Sequence, residues 1–217
     1  MKTNQSVSYC NDVFFKYALS CDDEDSCYLR NTIIERVTGI QPIESHVLNP
    51  QLPTSISGAK QIILDVHVKD IHGMEYDIEM QTTYAGVSEN MRFEYYGARI
   101  LSNQLKEGDN YKELKKVYQI IFINTFAWHN RKLINAYQMR NKDGIEESKA
   151  ALIHRMYCLL YTSTVPCLRV FQCVFAHPHQ LACHFRLCRH HELHCHDLSA
   201  YCQARSQPYC THCLRYC

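Results

Sequence analysis

The sequence predicts an α/β fold in which a mixed β-sheet is flanked by helices. Two segments that alternate polar and apolar residues, 62–69 and 75–81, predict an antiparallel hairpin, because successive side chains of a strand point to opposite faces. Residues 117–124 are apolar almost throughout, as is typical of a central strand covered on both faces. Helical periodicity over residues 88–106 lies between these strands, and this order favours a layered α/β sandwich.

The composition divides the chain into two parts. The 217 residues carry a formal net charge of +1, which excludes a polybasic binder that contacts nucleic acid through bulk charge. All seven Gly residues precede position 158, whereas residues 158–217 hold ten of the 13 Cys, eight His and no Lys. We therefore assign residues 1–157 to one domain, truncated at its C-terminal end, and residues 158–217 to a Cys/His-rich tail.

The tail has neither helical nor strand periodicity, so we interpret it as artefactual coding or as a disordered segment. A zinc-binding module is the alternative, since thiolate and imidazole are zinc ligands. Its best candidates are Cys195, His196, Cys210 and Cys213.

Two helices are predicted before the hairpin. Residues 11–19 form a short amphipathic pattern, and the acidic residues 22–25 suit the first turn of a second helix, because the helix dipole favours negative charge there. The second helix carries Leu29, Ile33 and Val37 on one face and ends at Gly39. Residues 41–60, with three prolines, predict a loop or irregular edge structure.

The hairpin loop fixes the register of the two strands. Residues 70–74 fit a three-residue loop with Gly73 in the left-handed conformation, which pairs Asp70 with Met74. On the polar face this register places His67 opposite Asp77, which we interpret as a cross-strand ion pair rather than a general base. It also places Asp65 opposite Glu79.

Asp65 and Glu79 form a candidate metal site. Directly opposed residues hold their Cβ atoms roughly 4.5–5.5 Å apart, so the two carboxylates repel each other unless a cation lies between them. Mg²⁺ accepts one or two carboxylates and keeps waters that substrate phosphate can replace. Gln81 falls on the same face, where its amide can orient a water or a phosphate oxygen but brings no charge. The alternative is a solvated face of charged residues.

The remaining elements follow in order. The helix over residues 88–106 ends near Gly108, and residues 151–157 predict one more strand. The predicted apolar side of the helix includes Met91, Tyr95, Ala98, Leu101 and Leu105. The opposite side carries Arg92, Tyr96 and Arg99, and this cation-aromatic-cation order suits a DNA backbone. A solvated stripe is the alternative.

Five short motifs occur in order over about residues 9–145. They are Asp-x-x-Phe-Lys at 12–16, Ile-Leu-Asp-Val at 63–66, Tyr-x-Ile-Glu-Met-Gln at 76–81 after Gly73, Arg-x-x-Tyr-Tyr at 92–96, and Gln-Leu at 104–105 followed by Gly-x-x-Tyr at 108–111. Together they resemble the PD-(D/E)XK nuclease family transposases, also called recombination-promoting nucleases. The resemblance implies a restriction-endonuclease-like core, a mixed β-sheet flanked by helices, and metal-dependent cleavage of DNA phosphodiester bonds.

The resemblance also implies residue roles. Asp65 and Glu79 would be the metal ligands, with Mg²⁺ or Mn²⁺ as cofactor. Gln81 stands where the superfamily has a lysine, so the metal would have to activate water almost alone, which leaves room for weak activity. Asp12 resembles an early acidic position that adds a water-mediated ligand, with a helix N-cap as the alternative, and Lys16 would contact phosphate.

The predicted function is therefore a Mg²⁺-dependent DNA endonuclease associated with transposition or recombination. The alternative is a catalytically weak or inactive nuclease fold that binds DNA or a protein partner. No stretch approaches 18 uninterrupted apolar residues, and residues 1–6 lead into no signal-peptide core. We expect a cytoplasmic protein with DNA as its partner and no membrane partner, and we leave a homodimer open as its assembly.

Overall fold

The computed structural model describes residues 12–54, 58, 60–81, 86–123, 132–146 and 151–160, all of which lie in one compact unit, Val7–Phe175. The tail beyond residue 160 lies outside these described residues, and so do both interpretations of it. Within the described part of the chain, none of the helices has the length and apolar character of a membrane span.

A six-stranded mixed sheet forms the centre of this unit, in the order β1-β2-β3-β4-β6-β5. The strands are β1 (Ser45–Leu48), β2 (Val66–Asp70), β3 (Glu75–Gln81), β4 (Val117–Ile123), β5 (Ile134–Gln138) and β6 (Ile153–Leu159). β4 runs parallel to β3 and β6, and the other neighbouring strands are antiparallel.

Helices cover both faces of the sheet. They are α1 (Asp12–Ser20), α2 (Glu24–Thr38) and α3 (Val87–Ser102), and a short 3₁₀ turn spans Tyr111–Glu113. α1 and α2 pack on one face of β4 through a core that includes Phe15, Ile33 and Phe122. α3 packs on the opposite face, where Phe93 meets Ile121. This arrangement confirms the predicted α/β class with a mixed sheet between helices.

The two ends of α2 lie where the sequence predicts them. The Asp23 carboxylate accepts hydrogen bonds from the Ser26 N–H at 2.8 Å and the Ser26 hydroxyl at 3.0 Å, which caps the helix. Gly39, with φ 76°, ends it and donates its N–H to Glu35 O at 2.8 Å. Arg30 was not predicted to be buried, yet its Nη1 donates to the carbonyl oxygens of Leu19 and Cys21 and so ties the end of α1 to α2.

The hairpin forms in the predicted register, with Val66 opposite Ile78 and His67 opposite Asp77. The Asp70 N–H donates to Met74 O at 3.0 Å, and Gly73 has φ 82°. Within the segment predicted as loop or edge structure, β1 pairs with β2 as an edge strand. β5 was not predicted, because its side chains are mostly exposed and give no apolar alternation.

The buried face of α3 differs from the predicted one. Phe93, Gly97 and Ile100 are buried, whereas Met91 and Tyr95 are exposed. Gly97 explains why this side of α3 faces the sheet, because it has no side chain and lets the helix approach the sheet closely. A Cβ added there would lie 2.8 Å from Gln119 Oε1 and 3.0 Å from Ile153 Cγ2. The helix also ends at Ser102, four residues before the predicted end.

The last strand continues past the predicted domain boundary. β6 runs to Leu159, and Cys158, Leu159 and Leu160 are all buried. Cys158 and Leu160 join the core under α1 and α2, while Leu159 packs under α3. A boundary directly after Tyr157 therefore falls inside the sheet.

Candidate metal centre

Asp65 and Glu79 lie side by side at the end of the hairpin away from its turn. The Asp65 N–H donates to Glu79 Oε1 at 3.1 Å, and the Met80 N–H donates to Asp65 Oδ2 at 2.9 Å. Each carboxylate thus reaches a backbone N–H of the facing segment, although Asp65 lies directly before β2, because the predicted strand 62–69 begins only at Val66. Because β3, β4 and β6 are parallel and end on this side, the pair sits at the C-terminal edge of these strands, where open α/β sheets bind ligands.

Helix α1 brings Asp12 and Lys16 to the same edge. Lys16 Nζ lies 2.9 Å from Asp65 Oδ1 and 3.1 Å from Asp12 Oδ2. Burial alone would lower the pKa of Lys16, but the hydrogen bonds to Asp65 and Asp12 raise it, so the side chain remains an ammonium. Asp12 is the first residue of α1 and binds Lys16 one turn on, so the predicted N-cap alternative does not describe it.

Gln81 lies at the other side of Glu79, and its Nε2 donates to Glu79 Oε2 at 3.3 Å. Among the described residues, each of the four carboxylate oxygens of Asp65 and Glu79 has at least one polar partner. A carboxylate oxygen has two lone pairs, so one such partner leaves room for a further ligand. The structure thus places Asp12, Lys16, Asp65, Glu79 and Gln81 in one continuous polar chain.

The polar face of the hairpin is buried, which contradicts the alternative of a solvated face. Asp77 is 0% exposed and Glu79 is 3% exposed, and His67 and Glu75 are also buried. α3 covers this face. The Gln119 amide links the two, since its Nε2 donates both to Asp77 Oδ2 and to Phe93 O in that helix. Charged groups in this layer consequently interact without screening by bulk water.

The predicted ion pair between His67 and Asp77 is wrong. The two residues are backbone partners, but His67 Nε2 lies 2.9 Å from Glu75 Oε2. Asp77 turns instead toward Gln119, whose Nε2 donates to Asp77 Oδ2 at 3.1 Å. His67 therefore belongs to a structural pair and does not reach the candidate metal site.

The buried carboxylates are held at an electrostatic cost. Burial raises the pKa of Glu79 well above its usual range, and the negative charges of Asp77 and Asp65 raise it further. Burial also raises the pKa of Asp77 to about 6, although the hydrogen bond from Gln119 opposes this rise. Asp77 Oδ1 is buried and has no hydrogen-bond partner among the described residues. A cation bound beside these groups would lower the cost of ionising them.

These residues fit a hard divalent cation. The donor set consists of oxygen atoms, which suits Mg²⁺ or Mn²⁺. Within the described ranges, no three His, Cys, Asp or Glu side chains converge closely enough to enclose a metal. Asp65 and Glu79 would supply two ligands, and waters or substrate oxygens would complete the shell, as Mg²⁺ commonly requires.

A polar connection that the sequence analysis missed extends from Asp77 to the surface. Arg155 Nε donates to Gln119 Oε1 at 3.0 Å, and Arg155 Nη2 donates to Glu94 Oε2 at 2.6 Å. Gln119 is a single polar residue in an otherwise apolar buried strand, and this was the signal that could have identified it. It fixes the orientation of Asp77 relative to α3.

The predicted DNA-contacting residues of α3 separate into two groups. The Arg92 guanidinium lies 5.7 Å from the Tyr96 ring centroid, and its charge lowers the pKa of Glu79. Burial raises the pKa of Tyr96, and the charges of the neighbouring carboxylates raise it further. Arg92 and Tyr96 thus lie beside the candidate site. Arg99 turns away from it and donates to the Tyr95 hydroxyl at 3.2 Å.

Comparison with protein families covers most of this unit. The family model described as PD-(D/E)XK nuclease family transposase matches residues 9–155, more than half of the chain. No curated protein and no solved structure matches the chain significantly. The matched residues include both candidate metal ligands and the helices and strands that position them. The chain therefore belongs to the PD-(D/E)XK nuclease family transposases.

Proposed function

We propose that this protein is a divalent-metal-dependent DNA endonuclease that hydrolyses phosphodiester bonds during transposition or recombination. The observation that carries this proposal is the pairing of buried Glu79 with partly buried Asp65 at the strand edge, inside the region that matches the nuclease family. Two adjacent carboxylates without a buried counter-ion for each are expected to require a cation.

Each residue of the polar chain has a proposed task. Asp65 and Glu79 hold the metal, which when bound lowers the pKa of a water and stabilises negative charge on the phosphate. The Asp65 N–H and the Met80 N–H keep the two carboxylates in place. Gln81 orients a water or a phosphate oxygen through its amide. Asp12 contributes through a water molecule and through its ion pair with Lys16.

The proposed DNA path runs from Lys16 across the site to α3. Lys16 and Arg92 are cations that lie beside Asp65 and Glu79, respectively, where a backbone phosphate would meet the metal. Tyr96 packs under Arg92 and holds its guanidinium. Arg99 lies about two helical turns beyond Arg92 and donates to the Tyr95 hydroxyl, so the proposed path does not include it.

The experiment is cleavage of supercoiled plasmid with Mg²⁺ and with EDTA, using the full chain and the variants Asp65→Asn and Glu79→Gln. Glu44→Gln is the matched control, since it removes an exposed carboxylate that pairs with His46 in a surface contact. We expect EDTA-sensitive nicking by the full chain and by the control, and none by the two site variants. Undiminished nicking by either site variant would remove that residue from the metal site.

One observation favours a second candidate, a nuclease fold that binds DNA without cutting it. Gln81 brings no charge to a position where the superfamily carries lysine, and charge stabilisation of the transition state is usually the largest catalytic contribution. If the full chain retains DNA on a gel but shows no metal-dependent nicking, this second function replaces the first.

A further inference from the structure

We propose that Lys16 in α1 supplies the positive charge that Gln81 cannot supply, so that the catalytic lysine of this protein lies on the first helix and not on β3. This proposal rests on the proposed nuclease function and assigns Lys16 a role in the reaction itself, beyond holding DNA. The observation behind it is the direct contact of Lys16 Nζ with Asp65 Oδ1 at 2.9 Å.

The fold holds Lys16 at this position. Phe15 and Leu19 of α1 are buried in the core, and the Phe15 ring meets the Phe122 ring of β4 edge-on at 5.8 Å. Phe122 lies near the end of β4, beside the edge where Asp65 and Glu79 meet. The Lys16 side chain is 41% exposed, so its ammonium can face both Asp65 and a phosphate that arrives from solvent.

The neighbouring polar groups are less suited to this task. Gln81 is neutral and donates to Glu79 Oε2. Arg92 is held by Glu89, with 2.7 Å between Nη2 and Glu89 Oε2, and its guanidinium also stacks near the rings of Phe93 and Tyr96. Lys16 combines direct contact with a candidate metal ligand and access to solvent.

The chemical step needs a cation at this position. The oxygen of a water molecule forms a bond to phosphorus, and the bond from phosphorus to one sugar oxygen breaks. The attacking water releases a proton to solvent, and the leaving sugar oxygen takes one from solvent. Negative charge grows on the non-bridging oxygens during this step, and the ammonium of Lys16 stabilises it. Lys16 acts through its charge and transfers no proton.

The geometry also implies an exchange of partners. Without metal, Lys16 neutralises Asp65, so a divalent cation and the Lys16 ammonium compete for the same carboxylate. If Asp65 held a metal, Lys16 would keep Asp12, which lies 3.1 Å away in this structure, as its partner and would be available to phosphate. Removing the ammonium should therefore strengthen metal binding while it weakens catalysis.

The test uses three variants of the full chain. Lys16→Gln removes the charge, and Lys16→Gln combined with Gln81→Lys returns a lysine to β3. Lys69→Gln is the matched control, because Lys69 pairs with Glu75 at 3.6 Å in the same hairpin and its side chain is 45% exposed, close to the value for Lys16. The measurements are kcat and KM on plasmid with Mg²⁺, DNA affinity in EDTA, and Mn²⁺ affinity by calorimetry.

We expect Lys16→Gln to lower kcat by about 100-fold or more, as does loss of one preorganised donor to a developing charge. DNA affinity should fall by only about a few-fold, since Lys16 is one of several cations on the proposed path, and Mn²⁺ should bind more tightly. The double variant should recover much of the lost kcat, and Lys69→Gln should behave as the unmodified protein. Lys16→Met, which keeps the aliphatic stem, should show the same losses and replaces Lys16→Gln if that variant is unstable.

Several results would overturn the proposal. Unchanged kcat in Lys16→Gln, or a loss confined to KM and DNA affinity, would reduce Lys16 to a DNA contact. Failure of the double variant to exceed Lys16→Gln, or unchanged Mn²⁺ affinity, would also contradict it. If the unmodified chain shows no metal-dependent cleavage, the proposed function fails and this inference falls with it. If the chain cuts DNA and Lys16→Gln cuts as fast, the inference about Lys16 alone is wrong.

Discussion

Replacing Asp77 with Asn should stabilise the protein in the absence of metal. Asp77 is fully buried, and its two oxygens have different surroundings. Oδ2 accepts from Gln119 Nε2 at 3.1 Å, whereas Oδ1 has no N–H or hydroxyl donor among the described residues, and the carboxyl group also contacts that of Glu79. Asn can keep the first contact through its carbonyl oxygen and direct its amide protons toward the negative side of the site. The substitution removes a buried charge with little change in shape.

The magnitude follows from the pKa of Asp77, which burial raises from 3.8 to about 6. Each unit corresponds to about 1.4 kcal/mol, so ionisation of Asp77 beside Glu79 destabilises the folded state by on the order of 1–3 kcal/mol at neutral pH. We expect Asn to recover about 1–3 kcal/mol, since its amide must also be accommodated. Because the folded state binds the proton more tightly, wild-type stability falls as pH rises from about 4 to about 6. The gain in Asp77→Asn should be small at pH 4 and complete above pH 7.

The assay is urea unfolding in EDTA at pH 4 and pH 8 for the unmodified chain, Asp77→Asn and Asp70→Asn. Asp70 is the matched control, because it is also buried but accepts hydrogen bonds from the N–H groups of His72 and Met74 and from the Tyr76 hydroxyl. Asp70→Asn should lose about 1–3 kcal/mol. A destabilised Asp77→Asn at pH 8, or an equal gain at both pH values, would show that the ionised Asp77 carboxylate does not destabilise the fold.

Three further predictions concern the scaffold. Gly97→Ala should lower the free energy of unfolding by about 1–3 kcal/mol, because the added Cβ would lie 2.8 Å from Gln119 Oε1, and this clash outweighs the better helix propensity of Ala. Urea unfolding that shows no loss of stability would contradict this. Burial lowers the pKa of His154 below 6.5, so the neutral imidazole stabilises the folded state above that pH, and this stabilisation is lost as the pH falls. His154→Gln should therefore make the free energy of unfolding depend less on pH between pH 5 and pH 7. A chain ending at Tyr157 should melt at a lower temperature than one ending at Thr164, since it lacks three buried residues, and equal melting temperatures would show that the end of β6 is dispensable.

The hairpin was predictable from sequence because local rules determine it. The three-residue loop at Gly73 fixes the register, and the register alone brings Asp65 to Glu79. The ends of α2 were predictable for the same reason, since an acidic N-cap and a left-handed glycine act within one turn. These signals need no knowledge of the rest of the fold.

The burial of the polar face could not be predicted, because it depends on how α3 docks. The helix carries apolar residues on two sides, and hydrophobic periodicity does not distinguish the side of Phe93 from the side of Met91. Gly97 decides between them through close contact with Gln119, a residue 22 positions away in sequence. The raised pKa of Asp77 and the contact of Lys16 with Asp65 likewise arise from tertiary packing.

We propose that Asp65 and Glu79 together hold a divalent metal ion. This proposal is tested most directly by calorimetric titration of Mn²⁺ into the full chain and into Asp65→Asn and Glu79→Gln. We expect saturable Mn²⁺ binding by the unmodified chain that is lost or greatly weakened in both variants. Binding of equal affinity in either variant would contradict it.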